Sequence, residues 1–222
     1  MTYDRAKFFG LYRTVFGPLR SQLQVDGIEA LLGMMEADPW PDIRDEAYFL
    51  ATVKHECADA WRPITERGSK SYFDRYEGRK DLGNTQPGDG YLFRGRGYVQ
   101  ITGRKNYERF GIADFPEAAL DPKNAYDIAK RGMLDGLFTG KKLSDYPDYV
   151  NKRRVVNGLD KAELIAGYAR GFEGILRTAR VAQDERLGPV DTQSPAEYEA
   201  LVAAVRKAVA DLQAALDRGE TA

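Results

Sequence analysis

Pro41-Asp42-Ile43-Arg44-Asp45-Glu46-Ala47-Tyr48-Phe49-Leu50-Ala51-Thr52-Val53-Lys54-His55-Glu56 is the stretch whose reading decides the fold. Pro41-Asp42 opens a helix, and Ala47, Phe49, Leu50, Ala51 and Val53 leave it almost no polar face. A helix apolar on most sides is a buried one. This one ends on His55 and Glu56, so it carries a carboxylate to the edge of an apolar core.

Toward the N-terminus the pattern stays helical. Phe8, Phe9, Leu11, Tyr12 and Phe16 form an amphipathic start that Gly17-Pro18 ends. Ser21 then caps a second helix carrying Leu23, Val25, Ile28, Leu31, Leu32 and Met35. Toward the C-terminus the texture changes from Arg62 to Asn106, with turn residues at Gly83-Asn84 and Gln86-Pro87-Gly88-Asp89-Gly90. The flanking Tyr91-Leu92-Phe93-Arg94 and Tyr98-Val99-Gln100-Ile101-Thr102 predict two short strands, a small hairpin between helices. Further helices are predicted from Gly103 to Phe110, from Asp121-Pro122 to about Leu137, and from Asp160 to about Arg180.

The tail carries a capping box at Ser194-Pro195-Ala196-Glu197, followed by Tyr198, Leu201, Val202, Val205, Val209, Leu212 and Leu216 at helical spacing. The expected organisation is one main domain over 1–190 and, over 191–222, an amphipathic helix packed on the same domain. The fold class read from this pattern is mainly α, helices with a small β-hairpin region.

Composition bounds the function. A chain of 222 residues with 43% hydrophobic content can bury one substantial core. Its formal net charge of -1 lacks the basic footprint of nucleic-acid binding or of a polybasic membrane surface. No run approaches the about eighteen apolar residues that span a bilayer, so no stable membrane insertion is expected. One cysteine, Cys57, excludes an internal disulfide and suits a reducing cytoplasm, and the basic-then-apolar opening of a signal peptide is missing.

His55 is the single histidine, which excludes a two-histidine zinc helix; no metal and no cofactor are expected. Cys57 and His55 stand two apart on a helix, about 200 degrees around its axis, so they cannot act as nucleophile and base. Cys57 is expected to be a small buried hydrophobe, and His55 a hydrogen-bonded group behind the site. Gly95-Arg96-Gly97 lacks the third glycine and the strand-then-helix setting of a dinucleotide fingerprint, since Gln100 stands in that place. Its glycines allow a close backbone approach, and Arg94 and Arg96 are expected to hold carboxylates in ion pairs. Glycoside hydrolysis needs two carboxyl groups in unlike surroundings. Glu56, at the end of a buried helix, is the better candidate acid, and Glu66, past Trp61-Arg62-Pro63 in a more polar stretch, is a candidate partner across a gap.

Ala51-Thr52-Val53-Lys54-His55-Glu56, then Pro63-Ile64-Thr65-Glu66, then Phe93-Arg94-Gly95-Arg96-Gly97-Tyr98-Val99-Gln100-Ile101-Thr102 and Asn106-Tyr107, resemble glycoside hydrolase family 19, and more closely the phage endolysins of that chitinase-like family. The resemblance covers roughly residues 8 to 180 and implies that the 1–190 domain is catalytic, with a mainly α (α+β) lysozyme-like fold: a two-lobed helical domain with a small β-hairpin region and the site in a cleft between the lobes. It implies Glu56 as general acid, Glu66 as the base that activates water, and Thr102 as a hydroxyl holding that water. It places Gln100, Asn106 and Asn157 at the sugar, with His55 and Tyr107 among the substrate-binding positions. Glu77, at a spacing from Glu56 close to that of the plant enzymes, is the alternative base. Where the family has threonine or serine and then glycines after the acid, this chain has Cys57-Ala58-Asp59-Ala60.

The function implied is an endolysin that hydrolyses peptidoglycan glycan strands by an inverting mechanism for host lysis. The protein is then expected as a monomer in the host bacterial cytoplasm until a holin releases it to the periplasm and cell wall. The alternatives are a chitinase acting on N-acetylglucosamine polymers, a secreted peptidoglycan-degrading toxin, and a non-catalytic wall-binding module.

Overall fold

The computed structural model describes residues 2–181 and Ala203. The tail over 191–222, where the sequence predicts a packed amphipathic helix, lies outside the described residues apart from Ala203.

Helix α1 (Arg5–Phe16), α2 (Gln22–Ala37) and α3 (Ile43–Glu56) open the chain, capped in turn by the side chains of Asp4, Ser21 and Asp42. Every residue of α3 from Asp45 to Lys54 is buried, as its lack of a polar face requires. The later helices are α4 (Asp89–Leu92), α5 (Arg104–Arg109), α6 (Pro122–Leu134), α7 (Tyr149–Lys152) and α8 (Ala162–Ala179). Asp121 caps α6 and Pro122 takes its first turn, where a missing N–H costs nothing. The core gathers around α3: Phe49 stacks on Trp40 with ring centroids 5.0 Å apart and meets Tyr126 of α6 edge-on at 5.5 Å. On the side of α8, Phe172 packs on Phe16 at 4.6 Å and on Trp61 at 5.8 Å.

The strands are two residues each. Thr2–Tyr3 (β1) pairs antiparallel with Arg180–Val181 (β4), tying the start of the chain to the end of α8. Ile64–Thr65 (β2) pairs with Arg96–Gly97 (β3), Ile64 opposite Gly97. The predicted hairpin is therefore replaced. Tyr91 and Leu92 belong to a helical turn, and Arg96 meets Ile101 in a single bridge. The reason is local: Asp89 accepts the backbone N–H groups of Thr85 and Gln86 and pairs with Arg104 at 2.5 Å, which fixes a helix start where alternation suggested a strand.

Two neighbouring cations anchor α3 to the segment before α8. Lys152, buried, pairs with Asp45 at 2.7 Å near the start of α3. Arg153, also buried, pairs with Glu56 at 2.8 Å at its end. Eleven residues of helix separate the two carboxylates, about 16 Å, which two long side chains leaving adjacent positions can span.

Candidate active site

Glu56 ends α3, where the chain turns sharply through Ala58, Asp59 and Trp61, all with positive φ. Gly27 makes room for that turn, since a β-carbon there would lie 2.1 Å from the Trp61 carbonyl oxygen. Oε1 of Glu56 accepts from Arg153 Nη1, whose Nε donates to the Asp160 carbonyl at 2.9 Å. Among the described residues, Oε2 of Glu56 has no hydrogen-bond partner. His55 beside it is half-buried; burial first, and then the Arg153 charge, hold its pKa below the usual 6.5, against the opposing pull of Glu56 and Asp160.

Glu66 follows β2. Its backbone N–H donates to the Gly95 carbonyl at 2.8 Å. Its Oε2 accepts the Gly95 N–H at 3.1 Å, and its Oε1 accepts from Arg75 at 2.7 Å and from the Tyr76 hydroxyl at 3.0 Å. Three donors fix this carboxylate, and the same Arg75 Nη2 also donates to the Tyr76 hydroxyl at 2.8 Å, tying two of the donors together. Gln100, at φ +55, donates its amide to the carbonyls of Ile64 and Gly97 at 3.0 and 2.9 Å. Its oxygen and Glu66 Oε2 border the same side of Gly95, 3.0 and 3.1 Å from where a β-carbon would stand. Thr102 donates to the Gln100 carbonyl at 3.1 Å, and Asn106 donates to the Thr102 carbonyl at 2.8 Å, so these two extend the cluster outward.

Cys57, next to Glu56 in the chain, and Gln100, which borders Gly95 beside Glu66, meet at one carbonyl. Gly97 O accepts from Gln100 Nε2 and lies 3.8 Å from the Cys57 sulfur, which also sits 3.6 Å from Tyr98 O. Cys57 is thus the joint between the end of α3 and the glycine-rich loop. Burial pushes its thiol up to about 12, which keeps it neutral and makes it a packing group.

The other expected positions have partners of their own. Glu77 Oε1 and Oε2 accept the N–H groups of Gly88 and Gly90 at 2.6 and 2.8 Å, so both oxygens brace a turn. Tyr107 is fully buried and gives its hydroxyl to Arg94 O at 2.7 Å, which puts its ring out of a polymer's reach. Asn157 is exposed, its backbone N–H bonded to Arg153 O at 2.9 Å. Arg96 pairs with Glu117 at 3.0 Å as an ion-pairing residue should, whereas Arg94 bonds to the Tyr91 carbonyl. Sequence reasoning passed over Arg153, Arg75 and Tyr76. The bond from Arg153 to Glu56 spans 97 positions, a separation at which no local signal exists. Among the described residues no group of three His, Cys, Asp or Glu side chains could hold a metal ion, and no helix is long and apolar enough to cross a membrane.

No protein-family description matches the chain. Solved structures do resemble it: chitinase C from Streptomyces griseus, with a TM-score of 0.55 at 18% identity, covers 82% of this chain and 79% of that one. A mutant of chitinase C gives a TM-score of 0.52 at 16% identity, covering 81% of this chain and 95% of that one. At these identities the likeness is one of fold: the chain has a mainly helical, chitinase-like fold.

Proposed function

We propose that the chain is an inverting glycoside hydrolase acting on the glycan strands of bacterial peptidoglycan, with Glu56 as general acid and Glu66 as general base. The observation that carries this reading is the pair of unlike carboxylate cradles, whose neighbours Cys57 and Gln100 meet at Gly97 O. Within it, Oε2 of Glu56 gives a proton to the glycosidic oxygen as the bond from that oxygen to the anomeric carbon breaks. Glu66 takes a proton from a water whose oxygen bonds to the opposite face of that carbon, which inverts its configuration. The Thr102 hydroxyl already donates to Gln100 O, so its lone pairs are left to accept from that water.

Cutting of chitin is the second reading, favoured by the fold likeness to a chitinase. Mass spectrometry of products from purified peptidoglycan, with chitin oligomers alongside, separates the two. Fragments reducing at muramic acid are expected, and release from chitin alone would overturn the first reading. A lytic role in a phage follows from the sequence resemblance, with holin-dependent passage from the cytoplasm to the wall. Expression in a bacterial host with and without a holin tests it, lysis being expected only with one.

A further inference from the structure

Beside Glu66 lies an exposed strip that hydrolysis does not use. Tyr72 and Tyr91 are 41% and 40% exposed, and the buried Phe73 joins them, its ring centroid 5.1 Å from one and 5.7 Å from the other. Each tyrosine carries a guanidinium: Arg75 lies 3.8 Å from the centroid of Tyr72, and Arg94 lies 4.1 Å from that of Tyr91, which the Lys70 ammonium also approaches at 5.9 Å. The strip is fastened to the site because the same Arg75 donates to Glu66.

Two cations of the strip stand apart from any carboxylate of the described residues. Several others in the same region are paired: Arg79 has Asp81, Arg96 has Glu117 and Arg104 has Asp89. Among the described residues Lys70 and Arg94 meet no carboxylate, only rings and, for Arg94, the Tyr91 carbonyl. A ring holds a cation in place without neutralising it, so these two charges stay available to an anion. Exposed tyrosines suit the flat faces of sugars, which a neutral polymer also offers. The cations add an attraction for a strand that bears carboxylates, which a bare neutral strand lacks.

We infer that Lys70, Tyr72, Tyr91 and Arg94 receive a glycan whose sugars carry peptide substituents, the cations binding the peptide carboxylates. The strip therefore sets a preference for peptide-substituted over bare strands. This rests on the glycan-hydrolase reading above, and the test separates the two. In the Glu56→Gln background, affinity is measured for peptidoglycan strands with their stem peptides and for the same strands stripped by an amidase. Tighter binding of the peptide-bearing strands is expected, weakening with salt. Adding Lys70→Gln and Arg94→Gln should weaken that binding about fivefold, as befits two exposed ion pairs, and lower the affinity for bare strands far less. Equal weakening on both strands, no weakening, or no binding of either strand would overturn the inference. If the preference disappears as expected while the unmutated protein releases no reducing ends, the hydrolase reading fails and the strip stands. If hydrolysis proceeds and the preference survives the double substitution, the strip fails and the hydrolase reading stands.

Discussion

Glu56 and Glu66 lie ten positions apart in the chain and are held by opposite means. Glu56 is delivered by a buried helix and fixed from across the core by Arg153. Glu66 stands at the end of a two-residue strand, and its cradle is made of one loop N–H, one phenol and one half-exposed guanidinium. The first arrangement is rigid because a core surrounds it. The second is placed by hydrogen bonds, each worth about 1 kcal/mol net. Two carboxylates of one chain thus have unlike surroundings, the condition for the unlike tasks of acid and base proposed for them.

Substitution of the carboxylates puts that division to its hardest test. Glu56→Gln should lower turnover on peptidoglycan by about 100-fold or more while circular dichroism stays close to that of the unmutated protein, the unfolding temperature falling because the buried Arg153 loses its counter-charge. Glu66→Gln should be as damaging. Glu77→Gln should leave a substantial part of the activity, because that carboxylate is occupied by the N–H groups of Gly88 and Gly90. A dead Glu77→Gln beside an active Glu66→Gln would move the base to the turn and erase the contrast.

The softer cradle should also yield to smaller changes. Gly95→Ala puts a β-carbon 3.0 Å from the Gln100 oxygen and 3.1 Å from Glu66 Oε2, so the base must shift by a few tenths of an ångström. A kcat loss of about tenfold is expected, within the reach of slight misplacement at a reacting centre. Thr102→Val, similar in shape, should cost about fivefold in kcat, the worth of one neutral hydrogen bond to the proposed water, and through the lost bond to Gln100 O lower the unfolding temperature by about 4 °C at most.

The two regions were unequally legible in the sequence. Apolar periodicity and caps located the first three helices, with Ser21 and Asp42 at their starts as expected. It also located α6, which ends at Leu134 short of the predicted Leu137, and α8 within two residues at either end. These elements are fixed by burial, which leaves a period in the chain. The loop region followed no period. Gly95 serves Glu66 through a backbone N–H that any residue but proline possesses, and Gln100 turns its amide onto two carbonyls. Residue type suggested sugar binding for Gln100 and Tyr107, while hydrogen-bond geometry gives the amide nitrogen of the first and the ring of the second to the scaffold. Arg75 and Arg153 stood in the sequence as two among 33 basic residues, with nothing local to mark them.

The smallest expected effect concerns stability at the helix end. His55 is held below its usual pKa by burial, so the unfolded chain binds a proton that the folded one refuses. That contribution is fully present above about pH 6.5 and is lost as pH falls from there toward the folded pKa. Lowering the pH from 7 to 5 should therefore depress the unfolding temperature more in the unmutated protein than in His55→Gln. Identical shifts in the two would show that the histidine is not desolvated beside Glu56.

The configuration of the first-formed reducing sugar tests the joint action of the two carboxylates most directly. Proton NMR of the reaction, read before mutarotation scrambles the anomers, should show the inverted anomer alone, because in the proposed mechanism Glu66 activates water and does not itself bond to the sugar. Retained configuration, or a covalent glycosyl-enzyme trapped on Glu66, would contradict the account.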